Sequence, residues 1–196
     1  MPSDDPLRDR DLPPPPGGWE TLARREVMKE PYLHISAETV RTGQGKVLDT
    51  WWILHFPDWV MVVPVTEAGE LVLLRQWRQG VRAVSLEVPG GTLEEGETDP
   101  LATGARELLE ETGYEAAELR SLGFLWPDPS RNANRCHMVL ALGCRKVAEP
   151  VLEPGESIES FTVPMAEAKA MLLRGDMMST VQATTLMRGL AELGEL

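Results

Sequence analysis

The sequence predicts a mixed α/β layer fold in which strands outnumber helices. Three observations carry this. Residues 59–65 and 71–74 form apolar runs of strand length, rich in valine and leucine. A short, well-bounded helix lies between Asp99 and Gly113. Two further helical stretches, about residues 165–173 and 180–193, follow a last strand candidate at residues 158–163. With 196 residues, 42 % of them hydrophobic, the chain can build one domain with an appendage, and wholesale disorder is excluded.

Taken in order, residues 1–18 mix Asp and Arg with four prolines at 13–16 and the pair Gly17-Gly18, which predicts a tail. Residues 19–56 read as an N-terminal antiparallel β layer. Residues 32–40 alternate and are β-branched, Thr42-Gly43-Gln44-Gly45 turns, and residues 47–55 return as a hairpin. Residues 57–196 form the main domain. Within it, residues 119–126 and 136–142 are short strand candidates flanking a Pro-, Asn- and Ser-rich loop at 127–134, placed like a site loop.

The formal charge is −12, from 31 acidic and 19 Lys+Arg side chains. That balance argues against a nucleic-acid or anionic-membrane surface, and an anionic ligand would need a metal or clustered arginines. No run of eighteen apolar residues and no signal-peptide pattern appears, so a cytoplasmic protein is expected. Cys136 and Cys144 are too few for a disulfide framework or zinc site and are read as buried reduced thiols.

The acidity is concentrated. Between Glu94 and Glu118 stand nine acids and one arginine. Asp99-Pro100 reads as an N-cap followed by proline at the first helical position, with Gly113 as the stop. At 100° per residue Leu101, Ala105, Leu108 and Leu109 share one face, and Glu107, Glu110 and Glu111 cluster on the opposite side together with Gly104. A charged helix face is ordinarily a solvated one. Here like charges three and four residues apart repel with only Arg106 among them, a pattern that also suits Mg²⁺ or Mn²⁺. Gly104 would permit close packing of a loop or ligand.

Gly91, then Glu97, then Arg106-Glu107-Leu108-Leu109-Glu110-Glu111-Thr112-Gly113-Tyr114 resembles the signature of the Nudix hydrolases. Eight residues, against the family's seven, separate Glu97 from Arg106. The extra residue falls at the loop-to-helix junction and bears on the Glu97–Arg106 pair that braces the family's loop. The resemblance implies an α/β/α sandwich around a mixed sheet and hydrolysis of a nucleoside diphosphate linked to another group. It also implies Mg²⁺, with Mn²⁺ as a substitute, held by Glu107, Glu110, Glu111 and the Gly90 carbonyl. Glu110, Glu111 and Arg106 would be the catalytic residues.

Beyond this motif, from about residue 19 to 159, the chain is similar to the ADP-ribose and ADP-sugar pyrophosphatases. That likeness implies Arg75, Arg78, Glu87 and Pro129 at the substrate. The arginines would act as fork-shaped diphosphate clamps, and Pro129 belongs to a proline-bearing loop. It implies a homodimer in which the N-terminal layer, residues 19–56, is exchanged across a two-fold axis and helps bind the nucleoside, with the six tryptophans supplying surface for that interface, for the core or for base stacking. Asn134 stands where that group has an acid. An amide cannot be a base, so water activation is left to Glu110 or to an acid of residues 153–159. His137 is read as a packed or orienting histidine. The rival readings are a non-catalytic Nudix-like binding module and a house-cleaning nucleoside triphosphatase.

Overall fold

The computed structural model describes residues 17–30 and 33–196. The expected tail, apart from Gly17 and Gly18, lies outside the described residues. The chain divides into two compact units, one of residues up to 56 with 128–134, the other of residues 57–127 and 135–196.

The first unit is an antiparallel sheet in the order β1 (Glu20–Glu30), β2 (Leu33–Arg41), β3 (Val47–His55). The sequence announces β2 and β3 as a hairpin and leaves β1 unseen, because all eleven of its residues are exposed and it carries no apolar alternation. Loop 128–134 is tied to β3 through Leu54, whose N–H donates to the Arg131 carbonyl at 2.9 Å and whose carbonyl accepts from the Ala133 N–H at 3.2 Å.

The second unit holds β4 (Trp59–Thr66), β5 (Glu70–Arg78), β6 (Ala83–Glu87), β7 (Gly90–Thr92), α1 (Pro100–Thr112), β8 (Tyr114–Glu115), β9 (Glu118–Leu125), β10 (Cys136–Lys146), β11 (Ile158–Pro164), α2 (Met165–Arg174) and α3 (Thr180–Glu192). Its sheet runs β11-β5-β4-β10-β8, with β6 on β5, β7 on β4 and β9 on β10. β10 is parallel to β4 and the other pairings are antiparallel, so the sheet is mixed.

β4 is apolar on both faces because both are covered. Val60 and Val62 pack with Leu108 of α1, whereas Val63 and Val65 pack with Leu186 and Leu190 of α3. Helices thus lie on both sides of the sheet. β5 runs four residues past its apolar stretch because β6 pairs with Arg75 to Arg78. β7 and β8 have three and two residues, too short for any periodicity to register. Cys136 and Cys144 are free and buried, and burial pushes their thiols up to about 12 and about 11.

Candidate active site

The α1 helix begins and ends as its sequence requires. Asp99 accepts from the Leu101 N–H at 2.9 Å, Pro100 needs no donor, and Gly113 closes the helix at φ 74°. Its buried stripe differs from the leucine face expected from periodicity. Thr103, Gly104, Glu107, Leu108, Glu111 and Thr112 are buried, and Leu101, Ala105 and Leu109 are only partly covered. Gly104 is the cause. A Cβ there would stand 3.2 Å from Val62 Cγ2 and 3.4 Å from Val60 Cγ2, so the glycine lets the helix sit down on β4. It receives the sheet rather than a loop or ligand, which corrects the sequence expectation.

This close approach draws two carboxylates under cover. Glu107 and Glu111 are 9 % and 4 % exposed. Burial lifts the Glu111 carboxyl to about 8, against the hydrogen bond it accepts from Gly90 N–H at 2.8 Å. Burial likewise lifts Glu107 to about 7, against the pull of Arg106. Glu107 lies directly over Gly91, where a Cβ would be 2.3 Å from Oε1 and 2.6 Å from Oε2. Gly91→Ala should therefore expel that carboxylate, the movable end of a flexible side chain. The expected result is at least a hundredfold loss of hydrolytic rate with a melting temperature within a few degrees of the parent, read by steady-state kinetics and calorimetry.

Arg106 braces the loop despite the extra residue. Its Nε and Nη2 donate to Glu97 at 3.2 Å each, Nη1 reaches Glu110 at 2.9 Å and Glu107 at 3.0 Å, and Nη2 donates to the Thr92 carbonyl at 3.3 Å. Arg106 holds the Glu97 carboxyl down at about 2, with help from the Glu94 N–H. From Arg106 to Gly113 the motif keeps its spacing, and Arg106 reaches Glu97 across the longer interval.

Glu107, Glu110, Glu111 and Gly90 line one polar cavity of about 450 Å³ with Arg78 and Glu156. Gln76 and Glu153 also reach it, and Gln76 Oε1 is buried without a hydrogen-bond partner among the described residues. No three His, Cys, Asp or Glu side chains of the described residues converge as a ready metal site. Glu111 is engaged by Gly90, and Glu107 and Glu110 by Arg106, so a cation would take these oxygens over from their present partners. The donor set is nevertheless chemically apt: hard oxygens, partly desolvated, beside a glycine that leaves room.

The structure separates the two arginines expected as clamps. Residues three apart on a strand point to opposite faces. Arg78 lines the cavity, while Arg75 lies 4.6 Å over the Phe161 ring and pairs with Glu159 at 3.6 Å, away from the cavity lining. Glu87 is 3 % exposed and fully engaged. Arg78 Nε donates to Oε1 at 2.7 Å, Arg78 Nη2 and Gln182 Nε2 to Oε2, the latter at 2.9 Å. Glu87 thus sets Arg78 rather than offering oxygens to a ligand. Pro129 sits exposed in the loop that belongs to the first unit, as does buried Asn134. His137 packs 5.7 Å from the Phe124 ring and approaches Asp58 at 3.4 Å.

A NUDIX domain model matches residues 55–181. The chain belongs to the Nudix family. It is 29 % identical over 150 residues to an ADP-ribose pyrophosphatase of Bacillus subtilis, covering 76 % of this chain and 80 % of that one. It is 29 % identical over 176 residues to the CMP-5'-(N-acetyl-N-hydroxy-3-aminopropyl)phosphonate hydrolase of Streptomyces rubellomurinus, covering 90 % and 82 %. A crystal structure of an ADP compounds hydrolase superposes with a TM-score of 0.76 at 21 % identity, over 92 % of this chain and 98 % of that one, which shows the Nudix fold. The chain is a Nudix hydrolase with ADP-ribose pyrophosphatases among its relatives.

Gln182 is the functional residue that the sequence concealed. It is 3 % exposed on α3, accepts from Val88 N–H at 2.8 Å, and donates to Glu87. It ties the strand entering the Nudix motif to the residue that fixes Arg78. One polar residue in the amphipathic stretch at 180–193 gives no sequence signal of this. Gln182→Leu leaves Val88 N–H and one Glu87 oxygen short of partners. Calorimetry should show a loss of about 1–3 kcal/mol, and KM should rise more than kcat falls.

Proposed function

We propose that the protein hydrolyses the diphosphate bond of ADP-ribose or a related nucleoside diphosphate sugar in a Mg²⁺-dependent reaction. One water adds across P–O–P, giving a nucleoside monophosphate and a sugar phosphate. The observation that carries the reading is the polar cavity, where buried glutamates with raised pKa values face an arginine locked in place by Glu87. Such carboxylates are held for a cation, and the fixed guanidinium is held for an anion.

Mg²⁺ or Mn²⁺ held by Glu107, Glu110, Glu111 and the Gly90 carbonyl would screen the diphosphate charge and acidify a water. Arg78 binds a phosphate oxygen through its free N–H groups and orients the bond to be cut. Arg106 keeps the Glu107 and Glu110 carboxylates on the cavity side of α1. Glu156, on the loop before β11, lines the same cavity and raises both Glu107 and Glu111 by its charge, so it is assigned the water's proton. Arg75 has no part in this assignment. Pro129 is retained only as a loop residue of the N-terminal unit.

The N-terminal unit exposes Trp19, Val47 and Trp52, 42–52 % each, which supports a homodimer formed through that layer. Light scattering on the purified chain should give twice the 21.7 kDa monomer mass, and a monomer at micromolar concentration would end that part of the reading. No helix among the described residues is long and apolar enough to cross a membrane.

The deciding experiment is a turnover panel with Mg²⁺. It comprises ADP-ribose, other nucleoside diphosphate sugars, a CMP-phosphonate, dinucleoside polyphosphates and nucleoside triphosphates. Release of a nucleoside monophosphate from a sugar nucleotide is expected. Turnover confined to triphosphates, or tight binding with no product, would replace this reading with one of its rivals.

A further inference from the structure

Glu156 stands on a strap, residues 147–157, that runs from the end of β10 to the start of β11. Val151, Leu152, Glu153 and Glu156 of this strap all line the polar cavity. Apolar packing does not keep it there, because Val151 is 76 % and Leu152 36 % exposed. Charge works against it. The strap brings two carboxylates to a cavity in which α1 already presents Glu107, Glu110 and Glu111, and the Glu156 charge is among the causes that raise Glu107 and Glu111. Left to electrostatics, such a turn swings out into solvent.

The carboxyl end of α1 is what holds it. The last carbonyls of a helix lack partners within the helix. Here Gly113 N–H satisfies the Leu109 carbonyl at 2.8 Å, and the strap supplies further donors: Val151 N–H to the Glu110 carbonyl at 2.8 Å, Val147 and Ala148 N–H to the Gly113 carbonyl at 2.8 and 3.2 Å. Gly113 admits this contact. A Cβ there would stand 2.0 Å from the Ala148 carbonyl oxygen, which is backbone and cannot yield alone. At its far end the strap enters β11, where Ile158 lies opposite Gln76 of β5. The turn between is closed by Glu153 N–H on Glu156 Oε2 at 2.8 Å and Glu156 N–H on the Glu153 carbonyl at 3.0 Å. One end is thus tied to the helix of the glutamates and the other to the strand of Arg78.

We infer that Gly113 and the Val151 N–H are positioning groups for hydrolysis: they moor the Glu153–Glu156 turn to the carboxyl end of α1 and so hold Glu156 at a fixed offset from Glu107 and Glu111. The inference rests on the diphosphatase reading above for the proton that Glu156 takes. Glu110 serves twice, with its carboxylate in the cavity and its carbonyl in the mooring. The glycine that ends the motif does more than stop a helix, since it is the berth for the strap.

Val151→Pro removes the donor at an exposed position and tests this in a double-mutant cycle with Glu156→Gln. Alone it should lower kcat about ten- to a hundredfold, since a shift of about 1 Å in a reacting group costs up to about a hundredfold. In the Glu156→Gln background it should cost no more than about twofold, because the group that it positions is gone. Mg²⁺ affinity of the Val151→Pro chain, measured by calorimetry without substrate, should stay within about threefold of the parent, because the side-chain oxygens of α1 are untouched. Amide exchange reads the mooring without turnover: Val147, Ala148 and Val151 N–H should be protected in the parent and lose that protection together in Gly113→Ala. An unchanged kcat in Val151→Pro overturns the inference. So does an equal loss with and without Glu156, a loss of Mg²⁺ binding, which marks damage to α1 instead, or exchange of the three amides at the rate of an open loop. Parental kcat in Glu156→Gln overturns it together with the proton assignment, while the hydrolysis stands. If Gly113→Ala does not fold, the cycle and the exchange of the parent still decide. A chain that turns over no diphosphate overturns the reaction and not the mooring, which the exchange then decides.

Discussion

Glu111→Gln is expected to lower kcat with Mg²⁺ by two orders of magnitude or more while leaving the fold at least as stable. Glutamine can keep the hydrogen bond from Gly90 N–H, because its carbonyl oxygen replaces Glu111 Oε2 in nearly the same volume. What it removes is a negative charge in a buried setting, where burial already pushes the carboxyl up to about 8. Above pH 8 that charge is a load on the folded state, so the variant should melt at the same temperature or higher. Retained activity would remove Glu111 from the cation's ligands. A large drop in melting temperature would instead make it a structural residue. Steady-state kinetics beside differential scanning calorimetry separate the two.

The second large effect is a dependence of stability on pH that a divalent cation reverses. Glu107 and Glu111 titrate near 7 and 8 in the folded chain and near the ordinary carboxylate value when unfolded. The folded protein therefore holds protons that the unfolded chain has released between about pH 4.5 and 8. In that window stability falls as pH rises, by an amount on the order of a few kcal/mol in total. In chelator, the melting temperature should decline from pH 5 to pH 8. Mg²⁺ takes the place of those protons, so the rise it produces should be small at pH 5 and largest at pH 8. Glu97 acts in a different window. Its carboxyl is held near 2 by Arg106, so its contribution is present above the ordinary value and is lost only as pH drops from about 4 toward 2. A Mg²⁺ effect of equal size at every pH would contradict the assignment of the buried pair to a cation.

What the sequence could express was local. The cap at Asp99, the stop at Gly113 and the apolar runs of β4 and β5 are written in consecutive residues, and the structure has them. The carboxylates of α1 were legible as a group because a helix fixes their mutual spacing. Their burial was not. It follows from Gly104 meeting Val60 and Val62 of a strand some forty residues earlier, a contact that no periodicity encodes. Arg75 and Arg78 looked equivalent by composition, and strand parity separated them once β5 proved to extend to Arg78. Strand β1 was invisible for the opposite reason. It is held by pairing along one edge of β2 and buries nothing.

Gln182 imposes an order on how the site comes into being. The Nudix motif and its glutamates are complete in the chain by residue 113, and α1 can form as soon as its cap and stop exist. Yet Glu87, which holds Arg78, and the backbone at Val88 are bonded from Gln182 of α3, across sequence separations of 95 and 94 residues. Until α3 has been made and docked, Glu87 is short of one donor and the Val88 N–H lacks its acceptor. A chain that has made the signature alone still lacks these two hydrogen bonds, and they arrive with the first turn of the C-terminal helix rather than with the motif that names the family.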